Sequence, residues 1–450
     1  MNLTLLIWTI VKILIVIGFV FNVAALLTWV DRRQSSMIQD RIGPNRAVLK
    51  LGKFELRVAG LLHTAADGVK FFFKEDFMPP NADKLLFSLA PILALTPVLA
   101  LLAVIPFGDT LCIGDFGKIV PRFGVCDGTQ GHGAWAMDLM VAPLNVGLLY
   151  VFALAGQGIV GAAIAGWSSD NKFSLMGALR AASQMVSYEV AMGLSLIGAM
   201  MIYGTIRLDD MVRWQGDYAW GIFVQPLAFL LFFTAAVAEN KRIPFDLPEA
   251  ESELVSGYFT EYSGMKFGMF YFAEYMEVAT SSMLLVTIFL GGWQLPFIHR
   301  DGLSIEMGTM TVFHTVMPHV WVIILQVLTF FGKTLAVCSF QAFVRWSLPR
   351  FRYDQLMKIG WRVLLPLALA NIFVTGVMVL GVQKGSLGLQ AGLKVFADAS
   401  QVAVFLFVTG LFVAAVVGML KPHKKSTWIV GSSAKLAFSA GGTKDTPMQA

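Results

Sequence analysis

The sequence predicts an all-α polytopic membrane protein, with eight transmembrane helices, a ninth near the C-terminus and an amphipathic surface helix after the first. Three observations predict it. The 450 residues are 56% hydrophobic and only 14% charged, against roughly 25% charged in an average soluble protein. Uncharged runs of about 20 residues recur, each long enough to span hydrocarbon. The cations are asymmetric: with the N-terminus outside, inside segments carry 25 Lys and Arg and outside segments 7, as positive-inside topology requires. No strand-like alternation is read, which argues against a β-barrel.

The first span is expected over about 3–30, with Lys12 near enough to its outer end to snorkel. It is too long for a signal peptide and lacks a small-residue cleavage site, so it reads as retained. A polar segment follows, and within it 51–74 reads as a surface helix. Leu51, Phe54, Val58, Leu61, Leu62, Ala65, Val69 and Phe72 recur at helical spacing, with Lys53, Arg57, Asp67, Lys70 and Lys74 on other faces. Further spans are expected at 85–105, 140–165, 183–203, 221–238, 269–290, 316–340 and 363–382. The ninth covers 402–420 and precedes a polar tail, 421–450, whose Lys, Gly and Ser content predicts disorder.

The densest chemistry lies between the fifth and sixth spans. Glu239, Asp246, Glu249, Glu251, Glu253 and Glu261 face only Lys241 and Arg242 within that stretch. Crowded carboxylates beside a low-dielectric interior hold protons more tightly. Pro244 and Pro248 break any helix leaving the bilayer. Pro248 can open a new helix whose positive end favours Glu249 and Glu251, with Glu249 and Glu253 on one face. A solvated acidic loop is the plain alternative. Glu189, Glu274 and Glu277 fall inside spans, where a carboxylate faces protein or water and marks an ion or proton path. A neutral, hydrogen-bonded structural Glu is the other reading. Lys333, also within a span, either pairs with one of these acids or serves structure.

Other signals are weaker. Cys112 and Cys126, both placed outside, are open to a disulfide or to two free thiols; no cysteine has metal-ligand spacing. His314 and His319 are too poorly aligned on a helix to ligate haem. His63 could titrate near neutrality or be a packed histidine. Asp31 to Arg46 is a basic turn whose Arg41 and Arg46 suit a partner's carboxylate or a lipid headgroup, with a solvated charge run as the plain alternative. No phosphate loop, haem site or cluster motif is present, and the net charge of +5 reflects topology rather than nucleic-acid binding.

Pro244-Phe-Asp-Leu-Pro-Glu-Ala-Glu-Ser-Glu-Leu-Val-Ser-Gly257 closely resembles the signature of the H subunit of the proton-pumping NADH:quinone oxidoreductase, respiratory complex I, the NADH dehydrogenase subunit 1 family. Gln39-Asp-Arg-Ile-Gly-Pro-Asn-Arg46, Ala66-Asp-Gly-Val-Lys-Phe-Phe-Phe-Lys-Glu75, Ala165-Gly-Trp-Ser-Ser-Asp-Asn-Lys172 with Ser187-Tyr-Glu189, and Pro349-Arg-Phe-Arg-Tyr-Asp-Gln-Leu-Met357 resemble four further blocks of that family. The resemblance covers about 1–385. Residues 386–420 add a C-terminal helix and 421–450 an inside tail.

The resemblance implies a subunit at the junction of the membrane arm with the hydrophilic, quinone-reducing arm, in a bacterial inner membrane. Its C-terminus is inside if the ninth helix spans. It implies quinone as substrate at the interface and membrane lipids around the helices, with no cofactor on this chain. FMN and iron–sulfur clusters are then expected in partner subunits. It implies a coupling channel of Glu239, Asp246, Glu249, Glu251, Glu253, Glu261, Glu189, Glu274 and Asp67, and a quinone chamber near Arg32, Arg41, Asp31 and His63. Asp31 stands where the family usually has Glu, and His63 where it usually has Gln. Glu277 matches no family position. The alternatives are the membrane anchor of a related hydrogenase or other-donor dehydrogenase, an independent proton-coupled carrier, and a purely structural anchor.

Overall fold

The computed structural model describes residues 3–44, 46–51, 54–56, 58–112, 136–249, 251–296, 298–299, 302–307, 310–383 and a few isolated positions between 399 and 410. The chain divides into two compact units, Met1–Val402 and Ala403–Ala450; everything below concerns the first. The expected ninth span and tail, and Cys126, lie outside the described residues.

The helices are α1 (Leu3–Ile38), α2 (Leu62–Phe73), α3 (Lys84–Leu101), α4 (Gly147–Ser168), α5 (Lys172–Tyr203), α6 (Leu208–Asp217), α7 (Gly221–Val224), α8 (Pro226–Glu239), α9 (Glu251–Leu254), α10 (Gly264–Phe289), α11 (His319–Ser347), α12 (Tyr353–Lys358) and α13 (Leu365–Gln383). Among the described residues, seven helices are long and apolar enough to cross a membrane. Their outward side chains are themselves apolar, as with Leu14, Ile15, Leu328 and Phe373, so lipid rather than water suits their surface. This is a multi-pass helical membrane protein.

The fifth expected span departs from that length. It breaks at Gln225, before Pro226, into α7 and α8. The 14 residues of α8 reach about 21 Å at 1.5 Å per residue, short of a hydrocarbon core of about 30 Å. The break is held by polar contacts. Buried Gln225 donates from Nε2 to Thr375 Oγ1 at 2.8 Å and accepts from Asn371 Nδ2 at 3.0 Å.

The centre of the bundle is α10, which packs against α1, α2, α3, α6, α7, α8 and α11. Its lower portion carries Glu274, Tyr275 and Glu277, so the most enclosed helix also holds intramembrane acids. Beside it, α5 packs against α4, α8 and α13. The side chain of Asn171 caps α5 by accepting from the Phe173 N–H at 2.9 Å, and α5 starts about three turns before the fourth expected span.

Three expectations are corrected. The surface helix occupies only the second half of 51–74. The first half is a hairpin, β1 (Leu49–Leu51) with β2 (Phe54–Leu56). Gly60 separates the two parts at φ +91, and a Cβ there would stand 1.9 Å from the Pro44 carbonyl oxygen, so the chain turns where only glycine fits. Helix α2 then packs Phe71 against Phe267 and Tyr271. Short strands also exist where no alternation was read: β3 (Leu111–Cys112) pairs with β4 (Ala136–Met137), and β5 (Ile298–His299), β6 (Gly302–Met307) and β7 (Met310–Val316) form an antiparallel sheet. Amphipathic α6 lies in a segment read as loop, with Asp209 and Asp210 in its first turn, where negative charge is favoured.

Lys333 serves structure. Its Nζ donates to the carbonyls of Leu290, Gly292 and Gln294 at 2.7, 3.1 and 2.6 Å and lies 4.1 Å from the Trp220 ring centroid. The cation thus closes the C-terminal end of α10, where the helix dipole favours it. Lys333→Met is expected to strand these acceptors at about 1–3 kcal/mol each. Thermal unfolding of the extracted enzyme should show a clear fall in Tm; an unchanged Tm contradicts the capping role.

Candidate functional site

The site grows from Asp31, in the last turns of α1, which is 7% exposed. Residues remote in sequence converge on it. Arg345 Nη1 donates to Oδ2, Trp346 Nε1 to Oδ1 at 3.0 Å and Tyr275 Oη to Oδ2 at 3.1 Å. Arg242 Nη1 stands 3.6 Å away. The Arg242 guanidinium lies 4.1 Å from the Tyr275 ring centroid and its Nη2 is 3.9 Å from Glu274 Oε2. Two carboxylates and two guanidiniums are therefore balanced in a water-poor interior, where an unpaired charge costs several kcal/mol.

A small cavity adjoins them, lined by Asp31, Arg242, Tyr275 and Arg345 together with apolar residues such as Val278 and Cys338. It offers about 30 Å³ to water centres, room for about two waters. Among the described residues, Arg242 Nε and Nη2 and Arg345 Nε are buried without a hydrogen-bond acceptor. Buried polar groups are normally satisfied, so these donors call for water or a polar guest.

The acidic stretch continues from this cluster. Asp246 is buried and accepts from Arg350 Nη2 at 2.8 Å, while its Oδ1 has no hydrogen-bond partner among the described residues. Burial, then the nearby Glu249, push the Asp246 carboxyl up to about 7, against the pull of Arg350 and Arg345. Its proton occupancy therefore changes near neutral pH. Glu253 is 57% exposed and pairs with Arg180 at 2.7 Å. Glu261 accepts from Asn171 Nδ2 at 2.6 Å, which fastens the stretch to the start of α5. Lys241 lies 3.3 Å from Glu277.

These placements modify the sequence reading. Pro248 does not open a helix: α9 begins at Glu251 and has four residues, so Glu249 and Glu253 do not share a helical face. The side chain of Glu251 lies outside the described ones. The stretch does not face only Lys241 and Arg242, because Arg180, Arg345 and Arg350 arrive from elsewhere. Sequence reasoning missed Arg345, Trp346, Tyr275 and Arg350 as site residues. Arg345 was legible only as an inside cation flanking an apolar span, and Arg350 also as part of the Pro349–Met357 block.

The remaining candidates are dispersed. Glu189 is half-buried on α5, near Gly156 of α4: a Cβ there would stand 3.3 Å from its Oε1. Asp67 pairs with Arg32 at 2.5 Å and Lys70 at 3.4 Å, joining α2 to α1. Arg41 donates to Ser35 Oγ at 3.0 Å, and pairs with no acid among the described residues. His63 Nδ1 lies 3.2 Å from the Gly60 carbonyl, a local contact. Among the described residues no group of three His, Cys, Asp or Glu could hold a metal.

Fold and site together define a polytopic helical membrane protein with an ionic network buried at the foot of its central helices. A family model described as NADH dehydrogenase matches residues 11–376. The first H subunit of the NADH-quinone oxidoreductase of Cytophaga hutchinsonii is 42% identical over 370 residues, covering 81% of this chain and 96% of the relative. The NADH-quinone oxidoreductase H subunit of Flavobacterium psychrophilum is 42% identical, covering 82% and 96%. The first such H subunit of Geobacter metallireducens is 44% identical over 365 residues, covering 81% and 94%. The chain belongs to the NADH dehydrogenase family of these H subunits.

Proposed function

We propose that the chain is the membrane subunit of a proton-translocating NADH:quinone oxidoreductase, helps to form the quinone-access chamber, and couples quinone reduction to pumping through its acidic stretch. The observation that carries this reading is the buried Asp31, Arg345, Arg242, Glu274 network beside a small cavity that its charged groups help to line. The membrane arm and the quinone-reducing arm supply its partners, with FMN and iron–sulfur clusters carried by the latter. A bacterial inner membrane, an outside N-terminus, a family domain over 1–385 and a ninth span over 402–420 complete the reading.

In this mechanism, negative charge generated at the quinone perturbs Arg242 and Arg345 first, because their spare donors line the cavity. That loosens the contacts by which the two guanidiniums hold the Asp31 and Glu274 side chains. The perturbation passes along Lys241, Glu239 and Glu189 in one direction and along Asp246 and Glu249 in the other. The energies match in scale. One charge crossing 100 mV costs about 2.3 kcal/mol, and a two-unit change in pKa is worth about 2.7 kcal/mol.

Glu249→Gln and Glu251→Gln are expected to assemble normally yet slow NADH-driven quinone reduction, or uncouple it from acidification of inverted membrane vesicles, by about tenfold. Wild-type rate and stoichiometry in both would sink the proposal.

A further inference from the structure

Beside the Asp31 network stands a second ionic unit, Lys241 with Glu277. Asn240 caps the end of α8, so Lys241 occupies the following position, which helix endings usually give to glycine. Its backbone is left-handed there, at φ +54, a conformation that side-chain-bearing residues adopt at a cost. The cost is borne to direct a lysine inward: Lys241 is 5% exposed. Strain of this kind persists where surrounding structure over-determines it, often at switch regions.

The contact it makes is loose. Nζ is 3.3 Å from Glu277 Oε2, longer than a usual charge-assisted hydrogen bond, and that oxygen is buried without a hydrogen-bond partner among the described residues. Lys333 offers the contrast, with three carbonyls locking its ammonium in place. Around Lys241 the charged groups are Glu277 and Glu274 from α10 and Glu249 from the acidic stretch. Around Glu239 they are Glu277, Glu189 of α5 and Lys241 itself. A Cβ on Gly158 of α4 would stand 3.9 Å from Glu277 Oε1, so α4 meets that carboxylate with a glycine. Glu277 and Lys241 thus both act on Glu239, which Glu189 also faces, and Lys241 in turn faces Glu274.

We propose that Lys241 and Glu277 are positioning residues that form a movable ion pair linking the Glu189 and Glu239 acids to Glu274 and the Asp31 network. When Glu277 takes a proton it becomes neutral, and Lys241, keeping its own protons, turns to the Glu274 carboxylate. When the proton leaves, the pair closes again. No other bond forms or breaks. This rests on reading the acidic stretch as a proton route.

The test uses the whole enzyme in native membranes, comparing Lys241→Met, Glu277→Gln and the double Lys241→Met/Glu277→Gln. The measurements are assembled amount, NADH-driven quinone reduction and vesicle acidification between about pH 6 and 9. Each single variant is expected to reduce acidification about tenfold and to displace its pH profile. The double is expected to accumulate like wild type, because no lone charge is left buried, while acidification stays about tenfold down. Wild-type acidification by the double overturns the proposal and makes the pair a packing device. Wild-type acidification by both singles also overturns it. A second neutral pair, Lys241→Gln/Glu277→Gln, guards against one poor substitution; failure of both doubles to accumulate again means a structural pair. Glu239→Gln and Glu274→Gln separate the layers. If they acidify normally, the proton route falls and this inference with it. If they are impaired while the double is normal, only the inference falls.

Discussion

Asp31→Ala should remove most of the assembled enzyme from the membrane. The substitution leaves the Arg345 and Arg242 guanidiniums, the Trp346 indole and the Tyr275 hydroxyl facing a gap. Removing one member of a buried ion pair costs about 3–5 kcal/mol, a large part of a typical total stability of about 5–15 kcal/mol. Asp31→Asn keeps acceptor geometry for one or two of these donors but removes the charge, so it should be intermediate. Asp31→Glu adds one methylene beside a cavity with room to receive it, and should retain more than about half of the enzyme, a loss of well under 1 kcal/mol. Quantifying the subunit in membranes and its melting after extraction checks the order Glu, Asn, Ala. An Ala variant that melts with the wild type would show that Asp31 does not hold the cluster.

Gly257→Ala is expected to be nearly as damaging without touching a charge. Gly257 has φ +58, and a Cβ on it would stand 1.7 Å from the Pro248 carbonyl oxygen. Nothing flexible can yield, because the obstacle is backbone. On the other side Gly177 of α5 approaches so closely that its own Cβ would stand 2.7 Å from Gly257 Cα. The acidic stretch is therefore closed on itself and seated on α5 through two glycines. Overpacking costs about 1–3 kcal/mol even where side chains can adjust, and here they cannot. Loss of NADH-quinone activity with lowered subunit content is the expected result. Gly332→Ala, in α11 with nothing within 4 Å of the added carbon, is the control and should be neutral or slightly stabilising. Equal behaviour of the two variants would show that the stretch tolerates reshaping.

Much of this architecture is legible in the sequence because lipid imposes a simple rule, and long uncharged runs have few other uses. The seven long helices follow from it. The broken fifth span is also written there, in Gln225-Pro226, but the polar partners that make the break tolerable, Asn371 and Thr375, are about 150 positions away. The same distance hid the site's cations. Asp246 and Arg350 are 104 positions apart, and Asp31 and Arg345 are 314 apart; no local pattern joins them. Helix α6 was recoverable: Leu208, Met211, Val212 and Gln215 are all buried at helical spacing, but ten residues between spans read easily as loop. The hairpin of β1 and β2 was lost to a helical periodicity that happened to fit its apolar residues.

The contrast between Glu253, largely exposed and paired with Arg180, and Asp31, enclosed with Arg345 and Arg242, divides this region by its access to dissolved ions. At physiological ionic strength mobile counter-ions screen exposed charges over about 8 Å, whereas buried pairs are screened far less. Added salt therefore loosens the peripheral tie of the acidic stretch to α5 far more than it loosens the enclosed network around Asp31, so that ionic strength acts on the rim of this region and hardly on its interior.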